Sequence, residues 1–319
     1  MVVQQRKVRF GVQATPERST WPELVQTFQR AEDIGLDTAW LPDHYLPVLT
    51  RDPTGPHADA WALLPALAAS TRSIRIGSLV TCNNFRHPAV LARMAANVDV
   101  ISGGRLEFGI GAGWFELEHT AYGIPFPPPR ERLERLGEAL DVIKLLWTAT
   151  GSTFTGRYYS LREASLAPGP VQRPHPPILV GGGGERLTLA IVARHADEWN
   201  HSGNLASFIH KGAVLDGHCR RIGRDPSQIR RSIAIPMSLT DDAGQAEKSV
   251  QTIASRRGTT VEEARSRMLC GTPEMVALQV RQFVEAGADH IILQIAGLRQ
   301  MDSVARFARE VIPRFREGQ

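Results

Sequence analysis

The segment Ile178-Leu-Val-Gly-Gly-Gly-Gly-Glu-Arg186 joins an apolar, β-type run to a helical pattern through four consecutive glycines. Residues without a Cβ atom let the backbone approach a ligand closely and turn its N–H groups towards that ligand. The helix that follows directs the positive end of its dipole to the same point. The segment therefore predicts a strand, a phosphate-binding turn and a helix. The backbone candidates for this site are Gly181, Gly182, Gly183, Gly184 and Glu185.

The glycine turn has two other interpretations. A P-loop is excluded, because no Gly-Lys-Ser or Gly-Lys-Thr follows the glycines. A flexible strand-to-helix connection without a ligand stays open, because glycine is also common in plain turns.

The strand-to-helix order repeats on both sides of this turn. Apolar runs of strand length alternate with amphipathic helical patterns, which is typical of a parallel sheet covered by helices. The predicted strands are Val8–Gln13, Asp37–Leu41, Ile74–Val80, Arg105–Ile110, Ile178–Gly181, Glu198–Asn200, Ser232–Leu239 and His290–Ile295. Eight such units predict a (β/α)8 barrel in which residues 1–319 form a single domain. We expect two insertions, at 151–177 and 241–269, the first containing a hairpin.

The composition is that of an ordinary globular protein: 42% of the 319 residues are hydrophobic, 22% are charged, and the formal charge is +4. Basic residues are scattered without an aromatic–basic stripe, so we expect no nucleic-acid partner. No apolar run reaches membrane-spanning length and Met1–Lys7 lacks the apolar region of a secretory signal, so we expect a cytoplasmic protein without a membrane partner. The distant Cys82, Cys219 and Cys270 predict neither a disulfide framework nor a metal site.

In a (β/α)8 barrel the catalytic site lies at the carboxyl ends of the strands. Asp43 and His44 follow the second predicted strand. Imidazole exchanges protons near neutral pH, which makes His44 the acid–base candidate. Asp43 is expected either to orient this ring or to pair with an arginine. The alternative for His44 is a hydrogen-bonded residue with a structural role only.

Glycines also follow the fourth predicted strand, in the segment Gly109-Ile-Gly-Ala-Gly113. A dinucleotide-binding Gly-x-Gly-x-x-Gly pattern would require glycine at position 114, which Trp114 occupies, and we therefore reject a Rossmann fold. Gly111 and Gly113 are instead candidates for close backbone contact with a cofactor at the mouth of the barrel.

Several segments match one known family in their order and spacing. They are Leu41-Pro-Asp-His44, Arg86-His-Pro-Ala-Val-Leu-Ala92, Ile101-Ser-Gly-Gly-Arg-Leu-Glu-Phe-Gly-Ile-Gly-Ala-Gly-Trp114, Pro170-Val-Gln-Arg-Pro-His-Pro-Pro-Ile178, Leu179-Val-Gly-Gly-Gly-Gly184 and Ala196-Asp-Glu-Trp-Asn200. With them the chain resembles the bacterial luciferase-like monooxygenase superfamily, especially its deazaflavin (coenzyme F420) dependent oxidoreductases. The resemblance runs from the first strand to the final helix and implies a barrel of the luciferase-like type.

The resemblance also implies where the cofactor binds. The flavin or deazaflavin ring would lie across the barrel mouth near Asp43-His44, with its phosphate on the backbone of Gly182–Gly184. A bulge at the end of the third strand, formed by Leu79, Val80 and Thr81, would support the ring. In the family this bulge commonly carries a non-prolyl cis peptide, which we expect between Leu79 and Val80.

Three functions are compatible with this resemblance. The closest match is hydride transfer between F420 and a small organic substrate, with His44 managing the accompanying proton and Asp43 fixing its orientation. FMN in the same pocket would act with oxygen as a monooxygenase. A barrel that binds a flavin or deazaflavin without turnover is the third alternative.

Two further expectations come from the same resemblance. Sugar-phosphate dehydrogenases of the family carry an acidic residue at the position of Trp114 and Asn at the position of Leu117, so a sugar phosphate is not the expected substrate. The superfamily commonly pairs through the first half of the barrel. Helices Ala60–Arg72 and Pro88–Ile101 carry more apolar residues than one core-facing stripe needs, and we therefore expect a homodimer.

Overall fold

The computed structural model describes residues 6–49, 52 and 54–316. Its centre is a closed barrel of parallel strands, as predicted. The strands are β1 (Arg9–Ala14), β2 (Thr38–Leu41), β3 (Arg75–Ser78), β4 (Thr81–Cys82), β5 (Leu106–Gly111), β6 (Ser152–Thr155), β7 (Ser160–Ala164), β8 (Ile178–Gly181), β9 (Glu198–His201), β10 (Arg230–Leu239), β11 (Leu269–Gly271) and β12 (His290–Ile295).

Eight strands form the barrel, in the order β1, β2, β3, β5, β8, β9, β10 and β12, and β12 pairs back on β1. Every neighbouring pair in this ring is parallel. The short β4 pairs with β5, β11 extends β10, and β6 with β7 forms an antiparallel hairpin in the predicted insertion. The (β/α)8 fold is therefore confirmed.

Most helices cover the outside of the barrel and bury one face against it, whereas the last insertion packs two helices in a separate cluster with β11. The helices are α1 (Trp21–Asp33), α2 (Ala60–Ser70), α3 (Pro88–Ser102), α4 (Glu116–Ala121), α5 (Pro129–Thr148), α6 (Thr188–His195), α7 (Leu205–Arg221), α8 (Ala243–Arg257), α9 (Val261–Ser266), α10 (Pro273–Glu285) and α11 (Met301–Glu310). Local capping starts several of them. In α1 the Thr20 hydroxyl accepts from the N–H of Glu23, whose carboxylate accepts from the N–H of Thr20.

Two details of the fold matter for the site. The third strand, predicted over Ile74–Val80, ends at Ser78, and a cis peptide between Leu79 and Val80 forms the expected bulge before β4. The predicted cis bond is thus confirmed. The helix α4 was not predicted, because six residues are too few to show an apolar period.

The barrel interior is polar at the amino ends of the strands. The Glu107 carboxylate accepts from Arg9 (2.6 Å) and from Arg75 (2.5 Å). Nδ1 of the fully buried His290 is 2.8 Å from the Glu198 carboxylate. Opposite charges and hydrogen bonds compensate the desolvation of these groups.

The interior becomes apolar towards the carboxyl ends of the strands. A separate hydrophobic cluster fills it, made of Trp40, Leu79, Leu179, Ala234 and Ile292. The partly buried side chain of Val80 packs on this cluster. The barrel is therefore closed below its mouth by side chains, and a ligand at the mouth would rest on an apolar surface.

No helix in the described ranges is long and apolar enough to cross a membrane. The three cysteines are free and buried.

One carboxylate of α1 holds the turn that leads into β3. Glu32 accepts backbone N–H groups from Arg72 (2.9 Å), Ser73 (2.5 Å) and Ile74 (2.9 Å). Partial burial acts to raise the pKa of Glu32, but these donors outweigh it and lower the pKa to about 2. The ionised form of Glu32 is therefore the one that stabilises the turn.

Replacing Glu32 by Gln is expected to lower the free energy of unfolding by about 1 kcal/mol at pH 7, because an amide cannot accept all of these N–H groups and the site is largely solvated. A group with a depressed pKa contributes stability above its ordinary pKa and loses it as the pH falls through the folded value. The difference between wild type and Glu32→Gln should therefore shrink between pH 4.5 and about pH 2. Urea denaturation across this range measures it.

The matched control is Asp33→Asn, which removes an exposed carboxylate at the next position. It should leave the unfolding free energy within the error of wild type. An equal loss in both variants, or a Glu32→Gln deficit that persists at pH 2, would contradict the assignment.

Candidate active site at the mouth of the barrel

Three predicted segments meet at the carboxyl ends of the strands around the side chain of Val80. A Cβ atom on Gly111 would lie 2.9 Å from one Val80 methyl group, and a Cβ atom on Gly181 would lie 2.9 Å from the other. Real Cβ contacts are longer, so only glycine permits the bulge to lie this close to β5 and β8. The carbonyl of Leu79 in the same bulge accepts a hydrogen bond from the Gln13 amide. The result is a partly exposed apolar shelf over the barrel interior.

The glycine turn after β8 has its carbonyl groups occupied by donors. Nε1 of Trp199 donates to the carbonyl of Gly182 (2.8 Å), and Nζ of Lys211 donates to the carbonyl of Gly183 (2.6 Å). The second residue of α6 donates its N–H to the carbonyl of Gly184 (3.0 Å). None of these three oxygens is left to repel an anion at the turn.

The N–H groups of the same turn are free. Across the described ranges, no hydrogen-bond acceptor meets the N–H groups of Gly183, Gly184 and Glu185. In a trans peptide the C=O and the following N–H point in opposite directions. Each hydrogen-bonded carbonyl therefore directs the following N–H to the opposite side of the chain. Together with the amino end of α6, these free N–H groups are suited to bind an anion.

The side chain of Glu185 does not face this anion site. Its carboxylate lies 3.3 Å from Nζ of Lys211 and 3.1 Å from Nε2 of His210, and its carbonyl accepts from His218 (2.7 Å). The hydrogen bond from Lys211 lowers the pKa of Glu185. Glu185 therefore offers only its N–H group to a ligand, while its charge compensates that of Lys211.

His201 at the end of β9 lies beside the turn and is almost fully buried. Its Nε2 is 2.9 Å from Oγ of Ser207, whose own hydrogen goes to the carbonyl of Asn204. Nε2 therefore carries the hydrogen, and Nδ1, which lies 3.3 Å from a Cβ position on Gly183, is an acceptor. Burial lowers the pKa of His201 to about 4, so the ring is neutral and suited to a ligand hydroxyl.

His44 lies across the mouth on the loop after β2, with 16% of its side chain exposed. Nδ1 of His44 is 2.9 Å from one oxygen of Glu118, whose other oxygen accepts the N–H of Tyr45 (2.9 Å). An ionised carboxylate only accepts, so the contact assigns the ring hydrogen to Nδ1. Nε2 has no protein partner in the described part of the chain and is the nitrogen open to a substrate.

Asp43 does not take part in this contact. Its carboxylate, which is buried, accepts from Arg86 (2.7 Å) and from the N–H of Cys82 (3.0 Å). Burial raises the pKa of the Asp43 carboxyl, and Arg86 opposes the rise. The structure thus shows pairing with an arginine, one of the two roles predicted for Asp43. The prediction that Asp43 orients His44 is wrong, because Glu118 holds the ring.

Two other predicted residues serve packing in this structure. The Thr81 hydroxyl accepts from Nε1 of Trp61 (3.0 Å) and is buried, so its side chain is directed into the protein. Gly113 has a φ of 77°, and a Cβ atom there would lie 2.7 Å from Sγ of Cys82. Their contacts with a cofactor stay a prediction.

Sequence reasoning missed Glu118, Lys211 and Trp199 as site residues. Each reaches the mouth from an element distant in sequence from the residue it contacts, and no pattern pointed to these contacts. His201 lies just past the end of a predicted strand, which placed it at the mouth, but its hydrogen bond with Ser207 was not predicted.

The residues present fit the two cofactors that the resemblance implies. F420 and FMN both carry a phosphate joined through a polyol chain to a flat ring. The free N–H groups of Gly183 and Gly184 suit the phosphate, Nδ1 of His201 suits a polyol hydroxyl, and the shelf at Val80 suits the face of the ring.

Residues 7–290 match the family model described as luciferase-like monooxygenase. The chain belongs to this family. It is 29% identical to the F420-dependent glucose-6-phosphate dehydrogenase of Kineococcus radiotolerans over 97% of both chains.

Among solved structures, the luciferase-like chain is similar to an F420-dependent secondary alcohol dehydrogenase in complex with an F420–acetone adduct. The TM-score is 0.87 with 23% identity, over 98% of this chain and 100% of the other. The monooxygenase RslO1 from Streptomyces bottropensis has a TM-score of 0.81 with 24% identity, over 96% and 99% of the two chains. These structural likenesses support the fold of the family.

Gly183→Val is expected to weaken the binding of F420 and FMN at least tenfold, or about 1.4 kcal/mol. A side chain at this position collides with Lys211, whose Cδ would lie 3.0 Å from the new Cβ, and it blocks the approach of a phosphate. Fluorescence or calorimetric titration of the purified protein measures both dissociation constants.

Gly217→Ala in α7 is the control, since a Cβ atom at that glycine meets nothing within 4 Å. Its affinity for both cofactors should equal that of wild type. A folded Gly183→Val protein with unchanged affinity would show that the phosphate binds elsewhere.

Proposed function

We propose that this luciferase-like protein is an F420-dependent oxidoreductase that transfers a hydride between the deazaflavin and a small organic substrate. Full-length similarity to an F420-dependent dehydrogenase supports the cofactor. The observation that carries the catalytic assignment is the contact of His44 Nδ1 with Glu118, which leaves Nε2 open at the mouth.

Each part of the mouth has one task in this proposal. The N–H groups of Gly183 and Gly184 bind the phosphate, and the shelf at Val80 supports one face of the ring. His44 exchanges a proton with the substrate through Nε2, and Glu118 stabilises the imidazolium formed when that proton is taken up. When bound, the deazaflavin supplies or accepts the hydride, while the protein provides orientation and the proton.

An FMN-dependent monooxygenase is the second candidate function. The name of the family and the similarity to RslO1 favour it, and the phosphate site suits FMN equally well. A barrel that binds the cofactor without turnover is the third. The buried Glu118 argues against the third, because simple binding does not need a carboxylate that fixes an imidazole at the mouth.

Glucose 6-phosphate, named for the relative from Kineococcus radiotolerans, is not our proposal for this chain. Sugar-phosphate dehydrogenases of the family carry an acidic residue at the position of Trp114 and Asn at the position of Leu117, and this chain lacks both groups. We therefore propose a substrate without a phosphate.

His44→Ala is expected to lower turnover with reduced F420 by roughly 10²–10⁴-fold, the usual contribution of a positioned acid or base. The F420 dissociation constant should change much less, because the glycine turn after β8 binds the phosphate independently of His44. Turnover is measured with a panel of enones, imines and quinones, with and without oxygen.

His175→Ala is the matched control, since His175 precedes β8 at the opposite end of the barrel. It should retain wild-type turnover. Full activity in His44→Ala would leave His44 with a structural role only. A strict requirement for oxygen would assign the protein to the monooxygenase function, because F420-dependent hydride transfer proceeds without oxygen.

We also propose that the protein is a homodimer that pairs through α2 and α3. These helices lie side by side, and α3 exposes large apolar side chains to solvent. They are Val90 (55% exposed), Val100 (40%) and Ile101 (49%). The exposed positions of α2 next to them are small: Ala62, Ala66 and Ala69. Large exposed apolar groups beside small ones are typical of an interface between helices.

The double variant Val90→Glu with Ile101→Glu is expected to be monomeric, because a pair of carboxylates buried in each half of the interface would be desolvated without partners. Light scattering at micromolar concentration should give 35.1 kDa for the variant and twice that mass for wild type. Leu278→Glu on α10, which is 60% exposed, is the control and should stay dimeric. A monomeric wild type would refute the proposal.

We propose a cytoplasmic location and an organisation of residues 1–319 as one domain. Three free cysteines support a reducing compartment. The scattered basic residues support a small anionic cofactor as partner and no nucleic acid or membrane.

A further inference from the structure

Trp114 is the most exposed large hydrophobic side chain in the described ranges, with 64% of its surface accessible. It follows Gly113, where the chain leaves β5 at the mouth of the barrel. Its ring is nearly perpendicular to that of His44, with centroids 5.8 Å apart, and it lies against Phe115 at 5.3 Å. With 64% of its surface accessible, the indole leaves much of its aromatic surface available to a ligand beside the imidazole.

The indole N–H of Trp114 is also available. Four other tryptophans donate this group to a protein acceptor: Trp40, Trp61, Trp147 and Trp199. For Trp114 no acceptor lies within hydrogen-bond distance in the part of the chain that the structure describes. No hydrogen bond within the described ranges therefore competes with a ligand for this indole.

The charges around His44 disfavour an anionic substrate. Glu118 bonds directly to His44, and both Glu17 and Glu118 lie within electrostatic reach of His57. The ring of His57 is 6.5 Å from that of His44. Burial first, and His44 second, lower the pKa of His57, so it adds no fixed positive charge. This side of the mouth is thus aromatic and acidic.

We propose that Trp114 is a specificity-determining residue that selects flat, conjugated, uncharged carbonyl compounds. Its ring stacks on the conjugated system and holds the carbonyl oxygen of the compound next to Nε2 of His44. The inference rests on the proposed function, since it places the reacting substrate beside His44.

The test uses two unreactive probes that share an amide and differ in their ring: 2-naphthamide, which is flat, and decahydronaphthalene-2-carboxamide, which is saturated. Calorimetry measures their binding to the full chain with and without F420. We expect wild type to prefer the flat probe about tenfold, and Trp114→Ala to remove this preference. Trp114→Phe should keep the preference for the flat probe, because a phenyl ring also stacks.

Trp21→Ala is the control, since Trp21 is 41% exposed at the start of α1 and should not affect either probe. Turnover supplies an independent readout, in which Trp114→Ala should raise KM for conjugated substrates about tenfold and change kcat less. A flat-probe preference that survives in Trp114→Ala, or the absence of binding by both probes, overturns the inference. A Trp114-dependent preference in a protein that shows no turnover with F420 would support the inference and reject the proposed function.

Discussion

The parallel pairing of β1 with β12 closes the sheet and determines where every functional group lies. Six residue pairs hold this seam, from Arg9 with His290 to Ala14 with Ile295. Because all barrel strands run in the same direction, the segments that leave their carboxyl ends share one rim. His44 after β2 and Gly183 after β8 therefore face the same mouth although they are distant in sequence.

The charged part and the apolar part of the barrel interior lie at different depths below this rim. The charged groups Glu107 and Glu198 lie at the amino ends of the strands. The apolar cluster above them, with Trp40 and Leu179, separates that network from the mouth. A flat ring can lie on the apolar shelf above this cluster while its polar ends reach the rim on either side.

The glycine turn and His44 are oriented in the same way. In each, a side chain from another element forms a hydrogen bond with one polar atom of the site and thereby fixes the direction of a second polar atom. Lys211 holds the carbonyl of Gly183, which turns an N–H towards an anion, and Glu118 holds Nδ1 of His44, which directs Nε2 outward. The orienting residues do not need to touch the ligand. Their contribution is that the site is formed before the ligand arrives, so less free energy is spent on ordering it.

The sequence by itself determined the repeating strands and helices, because a buried strand and an amphipathic helix each impose a short-range period on the chain. It also determined the glycine turn Gly181–Gly184 and the position of His44, since glycine conformation and strand ends are local properties. Only the tertiary structure decided that Glu118, and not the adjacent Asp43, holds the imidazole. A contact between elements 74 residues apart leaves no period in one sequence, and its geometry exists only after the barrel has closed.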